Sequence, residues 1–192
     1  SIAFGFLALI GIGALALALP CSQASGTWGN WSNAAFTACS AVCVTGLSVV
    51  DIAQEFSFVG QVVLIILVEL GALGLMALGT FLLVAIGRRL SYASEFSLMN
   101  AYGVAGIRGV KGLVFWIVGS IVVVESIGAA LLYFRFRDPY LSVFYSVMSF
   151  CNAGFSLYPD SLAKFASDPF VLFVLAAETI LGGIGFLVIY NI

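Results

Sequence analysis

Two four-residue stretches, Val44-Thr45-Gly46-Leu47 and Asn152-Ala153-Gly154-Phe155, follow short apolar runs that predict helices over Asn33–Cys43 and Tyr140–Cys151. A helix C-terminus carries partial negative charge. Glycine lets carbonyl oxygens face a common axis with no side chain in the way. A ring of backbone carbonyls replaces the hydration shell of a potassium-like ion, so the chemistry offered here is cation coordination by main-chain oxygen. Taken singly, Gly46 or Gly154 reads more simply as a tight turn or a helix C-cap. The two together, behind matching short helices, favour an ion filter.

A second set of residues is the carboxylates Glu69, Glu125 and Glu178, each inside a long apolar stretch with no Lys or Arg. An ionised side chain there costs several kcal/mol unless it is paired or faces water. Such groups line an ion pathway, relay protons, or support neighbouring backbone by hydrogen bonding. Glu125 reads as support. Glu69 and Glu178, which flank glycine-rich stretches, remain open between the readings, and a proton- or sodium-coupled secondary transporter is the alternative to a pore.

Other chemistry is excluded by what is missing. There is no histidine, which removes the commonest metal ligand and proton carrier. Cys21, Cys39, Cys43 and Cys151 are too scattered for a disulfide framework and read as small buried residues. The i,i+4 pair Cys39/Cys43 lacks the further ligands of a closed metal site. No transition-metal site and no cofactor is therefore expected. Gly182-Gly183-Ile184-Gly185-Phe186 lies inside an apolar span and not after a soluble strand, so it fails the context a nucleotide-binding loop requires. A net charge of -2 with no basic run offers no footprint for nucleic acid. The chain does not read as an enzyme.

The elements that must position these residues are membrane helices. With 62% hydrophobic and 8% charged residues and a mean hydropathy of +1.18, the sequence cannot leave the wet faces of a soluble domain. A helix needs about 20 apolar residues to cross the hydrocarbon core, and four stretches qualify: Ile2–Leu19, Phe58–Ile86, Gly112–Phe134 and Phe170–Ile189. They predict an all-α membrane protein in three parts: a helix–pore-loop–helix unit over 1–86, a connection over 87–111, and a second unit over 112–192. The connection carries Arg88, Arg89, Arg108 and Lys111 against Glu95, which places it in the cytoplasm and both loops outside. The short helices reach only about halfway through the core and return to the side they came from. Backbone of that kind must line a cavity, not face lipid. Trp28, Trp31, Trp116, Tyr133 and Phe134 fall at span ends as interfacial anchors, and Arg135 and Arg137 snorkel to the interface. The sequence starts and stops in apolar residues, as a piece of a longer chain would.

The two units align at an offset of 108, the difference between 36 and 144, which pairs Phe36 with Phe144, Cys43 with Cys151, Gly46 with Gly154 and Ser48 with Ser156. Downstream, Leu70–Leu75 aligns with Leu181–Phe186. Repeats of the same orientation imply rotational symmetry about an axis along the membrane normal.

Residues 37–51 and 142–157 resemble the first and second pore loops of the Trk/Ktr/HKT superfamily of potassium transporters, and Leu73-Gly74-Leu75 and Gly182–Phe186 resemble its glycine-rich inner helices. The likeness is closest to the membrane subunit of bacterial Ktr-type systems. It implies two of four pore-loop units around one central pathway, with Val44, Thr45, Gly46, Leu47, Asn152, Ala153, Gly154 and Phe155 as filter residues and potassium as the transported ion. Glycine rather than serine at 46 implies potassium preference. The resemblance further implies a homodimer in the lipid of the bacterial plasma membrane, with a cytosolic nucleotide-binding regulatory subunit.

Overall fold

The computed structural model describes residues 2–86 and 107–184. Seven α-helices are described: α1 (Ile2–Ala18), α2 (Trp31–Val42), α3 (Ile52–Glu55), α4 (Phe58–Ile86), α5 (Ile107–Phe136), α6 (Pro139–Phe150) and α7 (Pro169–Ile184), with a 3-10 turn at Ala163–Phe165. No strand forms among the described residues, beyond an isolated bridge between Gln23 and Phe56. The 87–111 connection, which the sequence places in the cytoplasm, lies outside the described residues up to 106. The last residues of the fourth predicted span, 185–189, lie outside them too.

The helices pack as two trios. In the first, α2 lies against both α1 and α4, and those two touch each other; in the second, α6 lies against α5 and α7 in the same way. Contact between α4 and α6 joins the trios.

The chain between α1 and α4 leaves and returns at one end of the trio. Gly29 N–H donates to the Ala18 carbonyl (3.0 Å), so α2 starts where α1 stops. Ser57 N–H donates to the Ser22 carbonyl (3.0 Å) and its hydroxyl to the Cys21 carbonyl (2.6 Å), which brings the start of α4 to the same place. In the second trio an Arg135–Asp168 ion pair (3.0 Å) ties the end of α5 to the residue before α7. Tyr140 Oη donates to Gln61 Oε1 (2.7 Å), and its ring meets Phe58 at 5.0 Å. The starts of α4 and α6 are therefore neighbours, and the two trios run in the same direction.

Each short helix ends partway along its long neighbour because a glycine admits it. A Cβ at Gly71 of α4 would strike the Val42 backbone, and one at Gly182 of α7 would strike the Phe150 carbonyl. Val42 and Phe150 are the last residues of α2 and α6. Gly71 follows Phe58 by thirteen residues, and Gly182 follows Pro169 by thirteen, about 20 Å along each helix at ~1.5 Å per residue. Gly74 faces the Phe6 ring instead. These glycines serve close packing of helices.

Outward faces are apolar: Phe4 is 73% exposed, Ile12 64% and Phe173 74%. That is the reverse of a soluble surface and fits a lipid-facing one. One described helix, α5 over Ile117–Phe136, is long and apolar enough by itself to cross a membrane.

Candidate functional site

The two glycine-bearing turns are built by the same local rules. Asn30 caps α2, its Oδ1 accepting from Ser32 N–H (2.9 Å) and Asn33 N–H (3.5 Å). Asp138 caps α6, accepting from Tyr140 N–H (2.8 Å) and Leu141 N–H (3.1 Å), with Pro139 in the first helical position. At the C-termini, Val44 N–H donates to the Ala41 carbonyl and Thr45 N–H to Ser40; Asn152 N–H donates to Ser149 and Ala153 N–H to Met148. Crossed bonds of this kind close a helix with a left-handed residue, and here those residues are Val44 (φ 53°) and Asn152 (φ 59°).

Gly46 (φ 69°) and Gly154 (φ 73°) lie two residues further on and are left-handed themselves. The C-cap role that either glycine could have filled thus belongs to Val44 and Asn152. Beyond each glycine a serine hydroxyl accepts from the backbone N–H two residues later and donates to that residue's carbonyl: Ser48 with Val50, Ser156 with Tyr158. Caps, helix ends, left-handed residues, glycines and serines all obey the offset of 108.

The turns meet each other. A Cβ at Gly46 would strike the Ala153 carbonyl and lie 3.0 Å from Gly154 Cα, whereas a Cβ at Gly154 would find only Gly46 Cα at 3.9 Å. Of the eight residues singled out from sequence, Ala153 and Phe155 are buried, Val44 and Gly46 half-buried, and Thr45, Leu47, Asn152 and Gly154 exposed. A cleft of about 480 Å³ opens beside Gly46 and Gly154, lined further by Ser48, Asp51, Ser156 and Tyr158. A second, of about 290 Å³, reaches Gly154 from Asn152, Ser149 and Thr179.

Side-chain support differs between the turns. Tyr145 Oη contacts the Ser156 hydroxyl (2.7 Å) and accepts from Leu157 N–H (3.1 Å). Its ring is stacked on Tyr158 at 5.6 Å and edge-on to Phe136 at 5.5 Å, and Lys164 Nζ sits 3.3 Å over the Tyr158 ring. In the first turn the matching position is Thr37, whose buried hydroxyl has no partner, and the hydroxyl link is Ser40 to Thr45 (2.9 Å). Sequence reasoning missed Tyr145. The available signal was a hydroxyl-bearing aromatic within the short helix, eleven residues before a serine already matched in the repeat.

The three carboxylates do not form one group of equivalents. Glu178 is buried and takes the Ser146 hydroxyl, which also reaches the Glu125 carbonyl (2.8 Å); Gly128 leaves the space that pair occupies. Glu69, two residues before its packing glycine where Glu178 is four before, points to the other trio and lies with Glu125 and Cys151. Two expectations need correction. Cys151 is buried, but Cys21, Cys39 and Cys43 are exposed, because they sit on outward surfaces of the first trio. Arg135 does not merely snorkel: Asp168 is within reach and pairs with it.

A fold of apolar helices whose outward faces are also apolar is that of a membrane protein. Residues 3–192 match the TrkH family, described as a cation transport protein. The chain is 36% identical to the Ktr system potassium uptake protein B of Bacillus subtilis, over 100% of this chain and 44% of that one. It is 37% identical to the Vibrio alginolyticus protein of the same name, over 100% of this chain and 43% of the relative. It is 36% identical to the potassium/sodium uptake protein NtpJ of Enterococcus hirae, over 97% and 43%. The chain spans less than half the length of these curated relatives. It belongs to the TrkH family, whose members are transporters and not enzymes.

Proposed function

We propose that this chain contributes to potassium uptake across the bacterial plasma membrane, supplying two pore-loop units whose residues Val44–Leu47 and Asn152–Phe155 are half of a backbone-carbonyl filter. The observation that carries the reading is the convergence of Gly46 and Gly154, both left-handed, at one cleft behind helix C-termini of the same construction. Two helix ends with partial negative charge favour a cation, and left-handed glycines let consecutive carbonyls turn to one side. The family and the potassium uptake relatives support the same reading. On this reading the units divide at the 87–111 connection, which faces the cytoplasm and offers one surface where a nucleotide-binding regulatory subunit could dock on a homodimer.

The test is relative uptake of potassium and sodium by the intact protein in transport-deficient cells, with surface expression controlled. Gly46→Ser is expected to lower the potassium-to-sodium ratio about tenfold, equivalent to ~1.4 kcal/mol of discrimination, and Gly154→Ser to lower it in the same sense. Gly74→Ala, which meets Phe6, changes rate and leaves the ratio. An unchanged ratio in both filter variants overturns the reading. The adjacency of Glu69 and Glu125 supports the coupled-transporter alternative; uptake that collapses with the proton gradient and is abolished in Glu125→Gln would favour it.

A further inference from the structure

The carboxyl oxygens of Glu69 and Glu125 and the thiol of Cys151 all lie within 4.8 Å of one another, brought together from α4, α5 and the C-cap of α6. We propose that these three side chains bind a thiophilic divalent cation of the zinc and cadmium class at the junction of the two trios.

Four observations support a ligand site over a chance cluster. Cys151 is 4% exposed, so its thiol is held in the cluster and not turned to solvent. Glu125 Oε1 is sealed from solvent and has no hydrogen-bond partner. A buried carboxylate oxygen of that kind is costly until something positive or hydrogen-bonding meets it. Glu178, 3% exposed, also has an unpartnered oxygen and is joined to the Glu125 backbone through the Ser146 hydroxyl. Finally, the described cationic side chains are elsewhere: Arg135 pairs with Asp168, Lys164 lies over Tyr158, and Arg137 follows α5 at its far end. Among the described residues, then, no side-chain cation balances the pair of carboxylates.

Ligand chemistry selects the metal. One thiolate with two carboxylates suits zinc-class ions, whereas magnesium and calcium take oxygen alone. Bonds of ~2.0–2.3 Å in a tetrahedral site put ligand atoms roughly 3.3–3.8 Å apart, so closure from 4.8 Å takes side-chain rotations of about 1 Å. The fourth position is left for water. Binding requires the thiolate, so the Cys151 proton is released to solvent as the metal enters. The absence of histidine and the scatter of cysteines hide such a site from sequence, because its ligands are 56 and 26 residues apart (69 to 125 to 151).

The test uses the intact purified protein in detergent with every cysteine except Cys151 replaced by serine. Cadmium titration is expected to give one equivalent of the ultraviolet thiolate-to-metal charge-transfer band, saturating at micromolar metal. Zinc should displace the cadmium, and a hundredfold excess of magnesium or calcium should not. Glu69→Gln and Glu125→Gln should each weaken binding by about 10- to 100-fold, a dependence that a solitary thiol would not show. If a Gln variant fails to fold, the decisive readout is a chelator-reversible rise in melting temperature with zinc that is present with Cys151 and lost in Cys151→Ala. No saturable band, or an affinity unchanged from the parent protein in both Gln variants, overturns the site. Binding is read on purified protein and selectivity by uptake, so a failure here is distinct from a failure of the transport reading.

Discussion

Residues 30–50 and 138–158 share a backbone and differ in what holds it. Both are capped by an Asx side chain, end in a left-handed residue, continue to a left-handed glycine and close with a serine turn. In the second, Tyr145 binds the returning chain at Ser156 and Leu157 within a cluster of Phe136, Tyr158 and Phe165. In the first, the matching Thr37 contributes nothing polar. Main-chain geometry is thus set by helix capping and glycine, which each unit has independently, whereas side-chain support differs: the second turn has the Tyr145 bonds and ring cluster, the first the Ser40–Thr45 hydroxyl link.

The largest test of this comparison is at the glycines. Gly46→Ala meets both a left-handed backbone and the Ala153 carbonyl, while Gly154→Ala meets the backbone cost alone. The expected losses are about 3 kcal/mol and about 1 kcal/mol, from ~1–2 for the left-handed residue and ~1–3 for overpacking. Melting of the purified variants measures them, and equal losses would show that the turns do not pack asymmetrically.

Next in size is Tyr145→Phe, which strands Leu157 N–H in a buried position and is expected to cost about 1–3 kcal/mol. Its expected signature is a lowered potassium-to-sodium uptake ratio as well as a lowered melting temperature. Thr37→Val removes a hydroxyl that has no partner and should be neutral or slightly stabilising. A loss in Thr37→Val as large as in Tyr145→Phe would erase the distinction between the units.

The smallest effect is at the caps. Val44 is β-branched in a left-handed conformation, which is costly, while Asn152 tolerates it. Val44→Gly should stabilise by about 1 kcal/mol and Asn152→Gly by close to zero. Matching chemical denaturation curves for the two substitutions would break the expectation.

Much of the frame was legible in the residues. Asp138-Pro139 is a strong start signal, and α6 begins where it says. The first short helix begins at Trp31 and not at Asn33, because Asn30 and Asn33 are equally good caps by type and only the packing against Ala18 selects between them. The repeat matched Gly46 with Gly154 correctly in register, yet it did not show that Val44 and Asn152 would close the helices, since valine is a poor candidate for that conformation. Glu69 and Glu178 look alike in sequence. A difference of two positions relative to the packing glycine turns one to the other trio and the other into its own. Contacts between units, Glu69 with Cys151 or Tyr140 with Gln61, follow no local pattern and emerge only from packing.

The central claim is that the two glycine turns coordinate one transported cation. Crystals of the intact protein grown with thallium in place of potassium test it directly through anomalous scattering. The expected result is a peak in contact with main-chain oxygens of both 44–47 and 152–155, lost on exchange into sodium. Anomalous density confined to the Glu69–Glu125 region, with none beside Gly46 and Gly154, would contradict it.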